Sequence, residues 1–366
     1  MKFRYFLSLF PNLPFGKAWG WNRLVDGIRK RGFWGKSRMC LGIWLVLLIW
    51  GTSCDRPQVF RFTRFSMDTL VEYTVVAASG ERARQAVEAA HREIRRIDSL
   101  FWEGNPNGPV FRWNHSSGEM PLPREVAELL RRSLVYSRES GGAFDVTIKP
   151  VLDLYPFGRE HPRPPSIDRI TRRLSRVGWQ FLKPDSGGVV RKAYPDVQVA
   201  LGGVAKGYAV DRAVQALRHQ GIRQAIVNAG GDLYCLGNKA GRPWVVGIRH
   251  PRKSAEVIAV LRLQNRAVAT SGDYQRFFWY QKKRYHHILD PRTGRPARKA
   301  QSATVVAPTT EQADALATAL FVLGPRQGLK WIDRMPEIEA MVVDSAGTVH
   351  YSRGFQKYLY PRKEAF

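Results

Sequence analysis

Two glycine-rich junctions are the first places where this sequence could do chemistry. At Gly202-Gly203 a short apolar stretch ends and helical spacing begins at once, with Lys206 in the first turn. Exposed amides at a helix N-terminus attract anions such as phosphate, and the lysine adds a full positive charge. A tight turn with a solvated lysine would give the same spacing. The spacing also differs from that of a Walker P-loop, so this motif is excluded. The glycines of the second junction, Asn228–Asp232, would let another group approach the backbone closely. An ordinary hairpin turn would explain the same residues.

A carboxylate and a hydroxyl one helical turn apart form the next candidate. Asp314 and Thr318 share a face of a helix that is otherwise lined by Ala and Leu. Their oxygens suit a hard cation such as Mg²⁺. The alternative is structural, because an Asp in the first helical turns favours the helix dipole and a Thr can bond back to a carbonyl.

Two adjacent histidines, His286 and His287, come just before the turn Asp290–Gly294. A His at a strand end beside a turn could act as an acid or base, or contact a phosphate, although a single His is more often structural. Upstream, Asp145 and Thr147 follow a helix that stops at glycine, and in an extended chain they would point to the same side.

These residues need elements to position them, and the hydrophobic periodicity predicts which. Helices are expected at Glu81–Leu100, Pro123–Ser140, Val204–Gln220 and Thr309–Leu323. Thr309 and Gln312 have capping-box spacing. Short strands are expected at Val71–Ala78 and Val197–Leu201, and then repeatedly from Ala225 to Tyr351. This order predicts an α+β fold with a largely antiparallel sheet, and no linker divides residues 60–360.

Composition narrows the function classes. The chain has 366 residues, 44% of them hydrophobic, and a formal net charge of +27. Disordered chains, collagen-like chains, disulfide scaffolds and polytopic membrane proteins are excluded. The cations are spread along the chain, and no zinc-finger spacing or RNA-binding aromatic signature is present, so a nucleic-acid partner is not expected.

Part of the charge belongs to the N-terminal segment. Residues 1–38 carry a net +8, and the apolar run 39–50 and the small residues 51–53 follow, ending at Cys54. This pattern predicts a secretory signal or membrane anchor over 1–54, with Cys54 as a candidate for lipidation. Residues 55–366 are then expected on the outer, periplasmic face of a bacterial inner membrane. Their net +19 suits a location near an anionic membrane surface.

Taken in order, the motifs resemble the ApbE family, the FAD:protein FMN transferases, from about Ser66 to Gly324. The resemblance also rests on four further motifs: Met67-Asp68-Thr69, Ile97–Phe101 with Trp113-Asn114, Ala269–Tyr274, and His287–Gly294. It implies a single ApbE-like, T-fold-related domain with packed helices over 55–366. It also implies an enzyme that moves FMN from FAD to a Thr or Ser hydroxyl of an exported electron-transfer protein and releases AMP.

The resemblance assigns a role to each candidate residue. Asp314 and Thr318 would bind Mg²⁺, joined by the backbone carbonyl of Gly203. Lys206 would contact FAD, and His287 would lie at the diphosphate or reacting end, so that His287 and Asp314 are the catalytic residues. The flavin and adenosine pocket would be lined by Met67, Phe101, Ala143, Phe144 and Asp145. The cleft wall would be shaped by Asn228, Gly230 and Gly231.

Two positions depart from the family pattern. Ala200 stands where the family usually has an acidic residue, and Asp68 stands where it has glycine. Weaker flavin binding or turnover is expected unless Asp211 or another carboxylate substitutes for the missing one. A flavin-binding lipoprotein without transferase activity, an FAD diphosphatase and a general polyanion binder are the alternatives.

Overall fold

The computed structural model describes residues 57–117, 120–185, 189–239 and 241–361. The chain divides into two units, Met1–Cys54 and Asp55–Phe366, and the described residues all belong to the second. The predicted signal or anchor segment, including Cys54, lies outside them. Within the described part of the chain, no helix has the length and apolar character needed to cross a membrane.

The fold is built on an eight-stranded sheet in the order β1-β2-β5-β6-β9-β14-β15-β16. All its strand pairs are antiparallel, as the sequence predicts. Its strands are β1 (Gln58–Ser66), β2 (Thr69–Ala77), β5 (Ala225–Ala229), β6 (Asp232–Leu236), β9 (Arg266–Gly272), β14 (Ala300–Ala307), β15 (Glu339–Asp344) and β16 (Val349–Tyr351). The described part of the chain also has four two-stranded sheets: β3 (Leu182–Pro184) with β4 (Val190–Lys192), β7 (Trp244–Arg249) with β8 (Val257–Leu263), β10 (Phe277–Tyr280) with β11 (Lys283–His286), and β12 (Leu289–Asp290) with β13 (Arg295–Pro296).

Three long helices pack on the main sheet and on one another. The described helices are α1 (Gly80–Phe101), α2 (Pro109–Asn114), α3 (Arg124–Glu139), α4 (Lys149–Leu152), α5 (Ile167–Leu174), α6 (Ala205–His219) and α7 (Thr310–Ile332). The three on the main sheet are α1, α6 and α7, and α3, with 16 residues, is also long. Helix α1 buries one apolar face, from Ala83 to Phe101, in the main core. Helix α7 is broken at Gly324, whose φ of 74° ends one helix, and Pro325 begins the next.

The predicted helices and the α+β class with a mostly antiparallel sheet are confirmed, whereas the predicted strand Val197–Leu201 is wrong. The Asn114 side chain takes the place of a neighbouring strand there. Its amide donates to the Val199 carbonyl at 2.9 Å, and its oxygen accepts from the Val199 N–H at 2.8 Å. A side-chain partner satisfies this backbone without forming a ladder.

The predicted extended conformation holds at Asp145, with φ −149° and ψ 115°, but is wrong at Thr147. Residues Val146–Ile148 form a 3₁₀ turn, and Asp145 caps it. One oxygen of Asp145 accepts from the amide and the hydroxyl of Thr147, at 2.9 and 2.6 Å. Asp and Thr side chains offer the backbone such local bonds, which compete with extended structure.

Candidate active site

Helices α6 and α7 meet at their N-terminal ends, and each supplies a cap to the other. The Gly207 N–H, in the first turn of α6, donates to Asp314 Oδ2 of α7 at 3.1 Å. In return, Asp211 of α6 accepts from the amides of Thr310 and Glu311, which open α7, at 2.8 and 2.9 Å. These bonds satisfy amides that a helix leaves without internal partners.

Gly207 is required for this close contact. A Cβ at this position would lie 2.3 Å from the Thr310 carbonyl oxygen and 2.9 Å from Asp314 Cβ. The backbone of α6 therefore approaches α7 to a distance that no side chain permits.

A second carboxylate joins the site from the start of β6. Asp232 Oδ2 lies 2.7 Å from Lys206 Nζ, and the Asp232 side chain is only 3% exposed. Burial would lower the pKa of Lys206, but the carboxylates of Asp232 and Asp314 outweigh it and raise that pKa. Burial, followed by the charge of Asp232, raises the pKa of Asp314 well above its usual value. Asp232, Asp314 and Lys206 are thus one coupled cluster.

The Gly203 turn and Thr318 lie on another side of this cluster. A Cβ at Gly203 would be 3.2 Å from Phe144 Cε2 and 3.5 Å from Thr318 Oγ1. The Ser271 hydroxyl, near the end of β9, lies 3.1 Å from Thr318 Oγ1. The structure therefore brings Gly203, Phe144 and Thr318 together, and Ser271 joins them.

His287 lies in the bend between β11 and β12. Its N–H and its Nδ1 both lie near the Arg276 carbonyl oxygen, at 3.1 and 3.2 Å. A carbonyl can only accept, so Nδ1 carries the proton and Nε2 keeps a free lone pair. Burial lowers the pKa of His287 to about 4, and the charge of Lys206 contributes to this shift. His287 is therefore neutral at pH 7 and lies in the same electrostatic environment as Lys206.

Met67 lies at the tip of the β1–β2 hairpin, in a two-residue turn with Asp68. Both residues have positive φ, 53° and 55°. Asp98 Oδ2 accepts from the Met67 N–H at 3.1 Å and holds the turn. Beside it, a Cβ on Gly230 would lie 2.5 Å from Thr69 Oγ1, so the Gly230-Gly231 turn packs closely against this hairpin. Asp232, the first residue of β6, follows that turn directly.

Three expectations for the pocket need correction. Phe101 is 1% exposed and packs edge-on against Tyr208, 5.8 Å between ring centroids, so its ring belongs to the core and has no surface with which to meet a flavin. Ala143 is likewise buried, at 1%. The Asp145 carboxylate is used by Thr147 and by the Trp179 N–H, the latter at 2.8 Å, which gives it a structural function.

Asp211 cannot replace the carboxylate missing at Ala200, because both of its oxygens cap α7.

The residues present fit Mg²⁺. Two buried carboxyl groups, Asp232 and Asp314, face one ammonium group, and burial raises the pKa of Asp314, so a divalent cation would supply the positive charge that the ionised form of Asp314 needs. The donors are oxygens of carboxylates, a hydroxyl and a carbonyl, which Mg²⁺ prefers. Among the described residues, no group of three or more His, Cys, Asp or Glu side chains could hold a metal, so Thr318 and the Gly203 carbonyl are needed to complete a ligand set.

Comparison with known proteins decides the family. The ApbE family profile matches residues 67–342, most of the chain. The chain belongs to the ApbE family. The FAD:protein FMN transferase of Treponema pallidum is 33% identical over 340 residues, covering 86% of this chain and 93% of the relative. That of Salmonella typhimurium is 28% identical over 319 residues, covering 82% and 87%.

Solved ApbE structures show the same fold. The ApbE protein of Thermotoga maritima aligns over all of its length with 83% of this chain, with a TM-score of 0.77 and 33% identity. The flavinyl transferase ApbE of Pseudomonas stutzeri, in its apo form, aligns over 96% of its length with 82% of this chain, with a TM-score of 0.71 and 31% identity. The whole of the Thermotoga maritima chain aligns with 83% of this one, so its fold has no counterpart to the remaining residues.

The structure explains one departure from the ApbE pattern. Asp68 occupies a left-handed position, φ 55°, where the family has glycine. Asp is one of the few other residues that adopt this conformation readily.

Two site residues had no role assigned from the sequence, Asp232 and Ser271. Asp232 begins β6 and Ser271 is the next-to-last residue of β9. Each stands in a motif that the sequence analysis quoted, and that position was the available signal. Their partners, Lys206 and Thr318, come from distant parts of the chain.

Proposed function

We propose that this chain is a Mg²⁺-dependent FAD:protein FMN transferase that attaches FMN to a Thr or Ser hydroxyl of an acceptor protein and releases AMP. One observation carries the proposal. Lys206, Asp232, Asp314 and Thr318 converge from three separate segments, and their charges match a cation together with a diphosphate. The names of the relatives, which are transferases, support the same class.

The site would bind the diphosphate of FAD through its positive groups. Asp232 fixes the Lys206 ammonium, whose positive charge would face the phosphates. Asp314, Thr318 and the Gly203 carbonyl would hold Mg²⁺, with Ser271 orienting the Thr318 hydroxyl. When bound, the metal acts as a Lewis acid on the phosphate oxygens.

His287 would act as the general base. Its Nδ1 proton is held by the Arg276 carbonyl, so Nε2 can accept the proton of the acceptor hydroxyl. That hydroxyl oxygen forms a bond to the FMN phosphorus, the bond from this phosphorus to the bridging oxygen breaks, and AMP leaves with that oxygen. Lys206 would stabilise the charge that develops on the phosphates.

The setting of this reaction is also a proposal. The pattern of residues 1–54 supports export, and Cys54 would be the lipid-bearing residue that anchors the protein at the periplasmic face of the inner membrane. The acceptor would be an exported electron-transfer protein.

The test uses residues 55–366 with FAD, MgCl₂ and an acceptor domain, and detects covalent flavin by fluorescence on a denaturing gel. D314N should abolish labelling, whereas D333N, at the far end of the same helix, should keep it. Equal labelling by D314N and the unmodified protein would refute the metal assignment. AMP and FMN without labelled acceptor would identify an FAD diphosphatase, and bound FAD without turnover would identify a binding protein.

A further inference from the structure

The β10–β11 hairpin combines aromatic and basic residues. The segment Gln275–Ile288 has no Asp or Glu and carries four cations, namely Arg276, Lys282, Lys283 and Arg284. It also carries five aromatic rings, from Phe277 to Tyr285. The activity proposed above uses none of these side chains.

The two faces of the hairpin have different partners. On the inner face, Phe278 stacks on Tyr285 with 5.3 Å between ring centroids, and Phe278 is buried in a small core with Tyr155. On the outer face, Phe277 and Trp279 are 36% and 57% exposed. The inner face therefore holds the hairpin in place, while the outer aromatic pair contacts no core.

One cation covers the outer pair, and two more lie at the tip of the hairpin. The Arg284 guanidinium lies 4.6 Å from the Phe277 ring centroid and 5.1 Å from that of Trp279. Arg284 also pairs with Asp273 at 3.0 Å, so its charge is compensated. Lys282 and Lys283 are exposed, and neither makes an ion pair with any described residue. The tip thus has two uncompensated positive charges, Lys282 in the turn and Lys283 opposite Tyr280, and the exposed indole of Trp279 is on the other face one residue before Tyr280.

The turn holds these lysines in a fixed position. Tyr280 pairs with Lys283, so Gln281 and Lys282 form a two-residue turn with φ of 46° and 60°. Such turns match the twist of a hairpin but favour Asn and Gly, so the Gln-Lys pair is conformationally costly. Costly backbone of this kind is concentrated at functional positions.

We propose that the tip of this hairpin and its outer face form a membrane-contact surface that lies on anionic lipid headgroups. Trp is enriched at membrane–water interfaces, and exposed lysines gain from the negative surface potential of anionic lipids. A protein partner fits less well, because Lys is depleted from protein–protein interfaces. The net +19 of residues 55–366 agrees with an extended anionic surface rather than a local acidic patch.

This surface is connected directly to the site. The Arg276 carbonyl, at the base of the hairpin, accepts from both the N–H and Nδ1 of His287. Membrane contact would therefore hold the His287 end of the site close to the lipid surface. The inference does not depend on the proposed activity, because lipid binding needs no FAD.

The test is sedimentation of residues 55–366 with vesicles of phosphatidylcholine containing phosphatidylglycerol, without FAD. Removing two cations by K282A/K283A should weaken binding about thirtyfold, or about fivefold for each charge. W279A should weaken it about tenfold, because it removes aromatic surface from the interface. Vesicles of phosphatidylcholine alone should bind the unmodified protein weakly.

Two matched controls test whether vesicle binding depends on this surface rather than on the total charge or on any exposed tryptophan. R92A/R95A removes the same charge from the exposed side of α1, where neither arginine has an ion pair with a described residue. W102A removes a tryptophan that is 54% exposed. Both should bind within twofold of the unmodified protein, and circular dichroism should show every variant folded. Equal losses in hairpin and control variants, or no loss in the hairpin variants, would overturn the proposal. Hairpin variants that bind vesicles normally but label an acceptor poorly would assign the face to the acceptor instead.

Discussion

The contact between α6 and α7 at Gly207 leads to a sharp prediction. In G207A, the new methyl group would begin 2.3 Å from the Thr310 carbonyl oxygen, well inside van der Waals contact. The two helix ends must then separate, and the 3.1 Å bond from the Gly207 N–H to Asp314 is lost or lengthened. A single added carbon should therefore disturb both stability and the predicted metal ligand.

The magnitude follows from three contributions. Forcing a methyl group into a packed contact costs about 1–3 kcal/mol. Losing a buried hydrogen bond to a carboxylate costs about 1.5–3 kcal/mol. Alanine recovers up to about 1 kcal/mol over glycine within a helix. The free energy of unfolding should therefore fall by about 2–5 kcal/mol.

Gly202 is the matched control for this substitution. It lies in the same motif, and a Cβ there would have no neighbour within 4 Å. Urea unfolding of residues 55–366, followed by circular dichroism, should show G202A within about 0.5 kcal/mol of the unmodified protein. Calorimetric titration with Mg²⁺ should show weaker binding for G207A and little change for G202A. If G207A and G202A have the same unfolding free energy, the close approach of the helices is refuted.

Three further predictions concern individual side chains. A200D restores the carboxylate usual in the ApbE family and should tighten FAD binding about tenfold by one charge-assisted hydrogen bond; a loss of affinity in a fluorescence titration would place Ala200 outside the pocket. Burial raises the pKa of Asp211 from 3.8 to about 6, so the native state holds this proton more tightly than the unfolded chain. The free energy of unfolding should therefore fall, by up to about 3 kcal/mol, as pH rises from about 4 to about 6. In urea unfolding, D211N should remove this dependence on pH. An unchanged dependence on pH would contradict the raised pKa of Asp211. S271A should weaken Mg²⁺ binding about 10–100-fold, because the Ser271 hydroxyl orients Thr318; T270A, whose hydroxyl bonds Thr304 at 2.9 Å instead, is the control, and equal calorimetric affinities would refute the role.

The long elements were predictable because their signals are local. Helix α1 has an apolar face with a helical period, and a serine begins it, so its bounds follow from the sequence alone. The Thr309 cap of α7 was equally clear, and the Thr309 hydroxyl accepts from the Gln312 amide at 3.3 Å. The pairing of Asp314 with Thr318 also depends only on helical spacing.

The remaining features depend on distant partners. Val199 has a strand-like sequence, yet its partner is the side chain of Asn114. Asp211 resembles a free carboxylate until its two contacts with the first turn of α7 are seen. Phe101 belongs to a family motif, but that motif does not show whether its ring faces a ligand or the core. Periodicity carries no information on these long-range contacts.

The exchange of caps between α6 and α7 also bears on how the protein folds. The bonds from Gly207 to Asp314 and from Thr310 and Glu311 to Asp211 join residues about one hundred positions apart. Neither helix can complete its first turn until the other has arrived, so the pair should form in one late, cooperative step. Native-state hydrogen exchange should then show the amides of Gly207, Thr310 and Glu311 opening together. A chain that is still emerging from a ribosome would therefore lack the proposed Mg²⁺ ligands until the residues after Asp314 are free to fold.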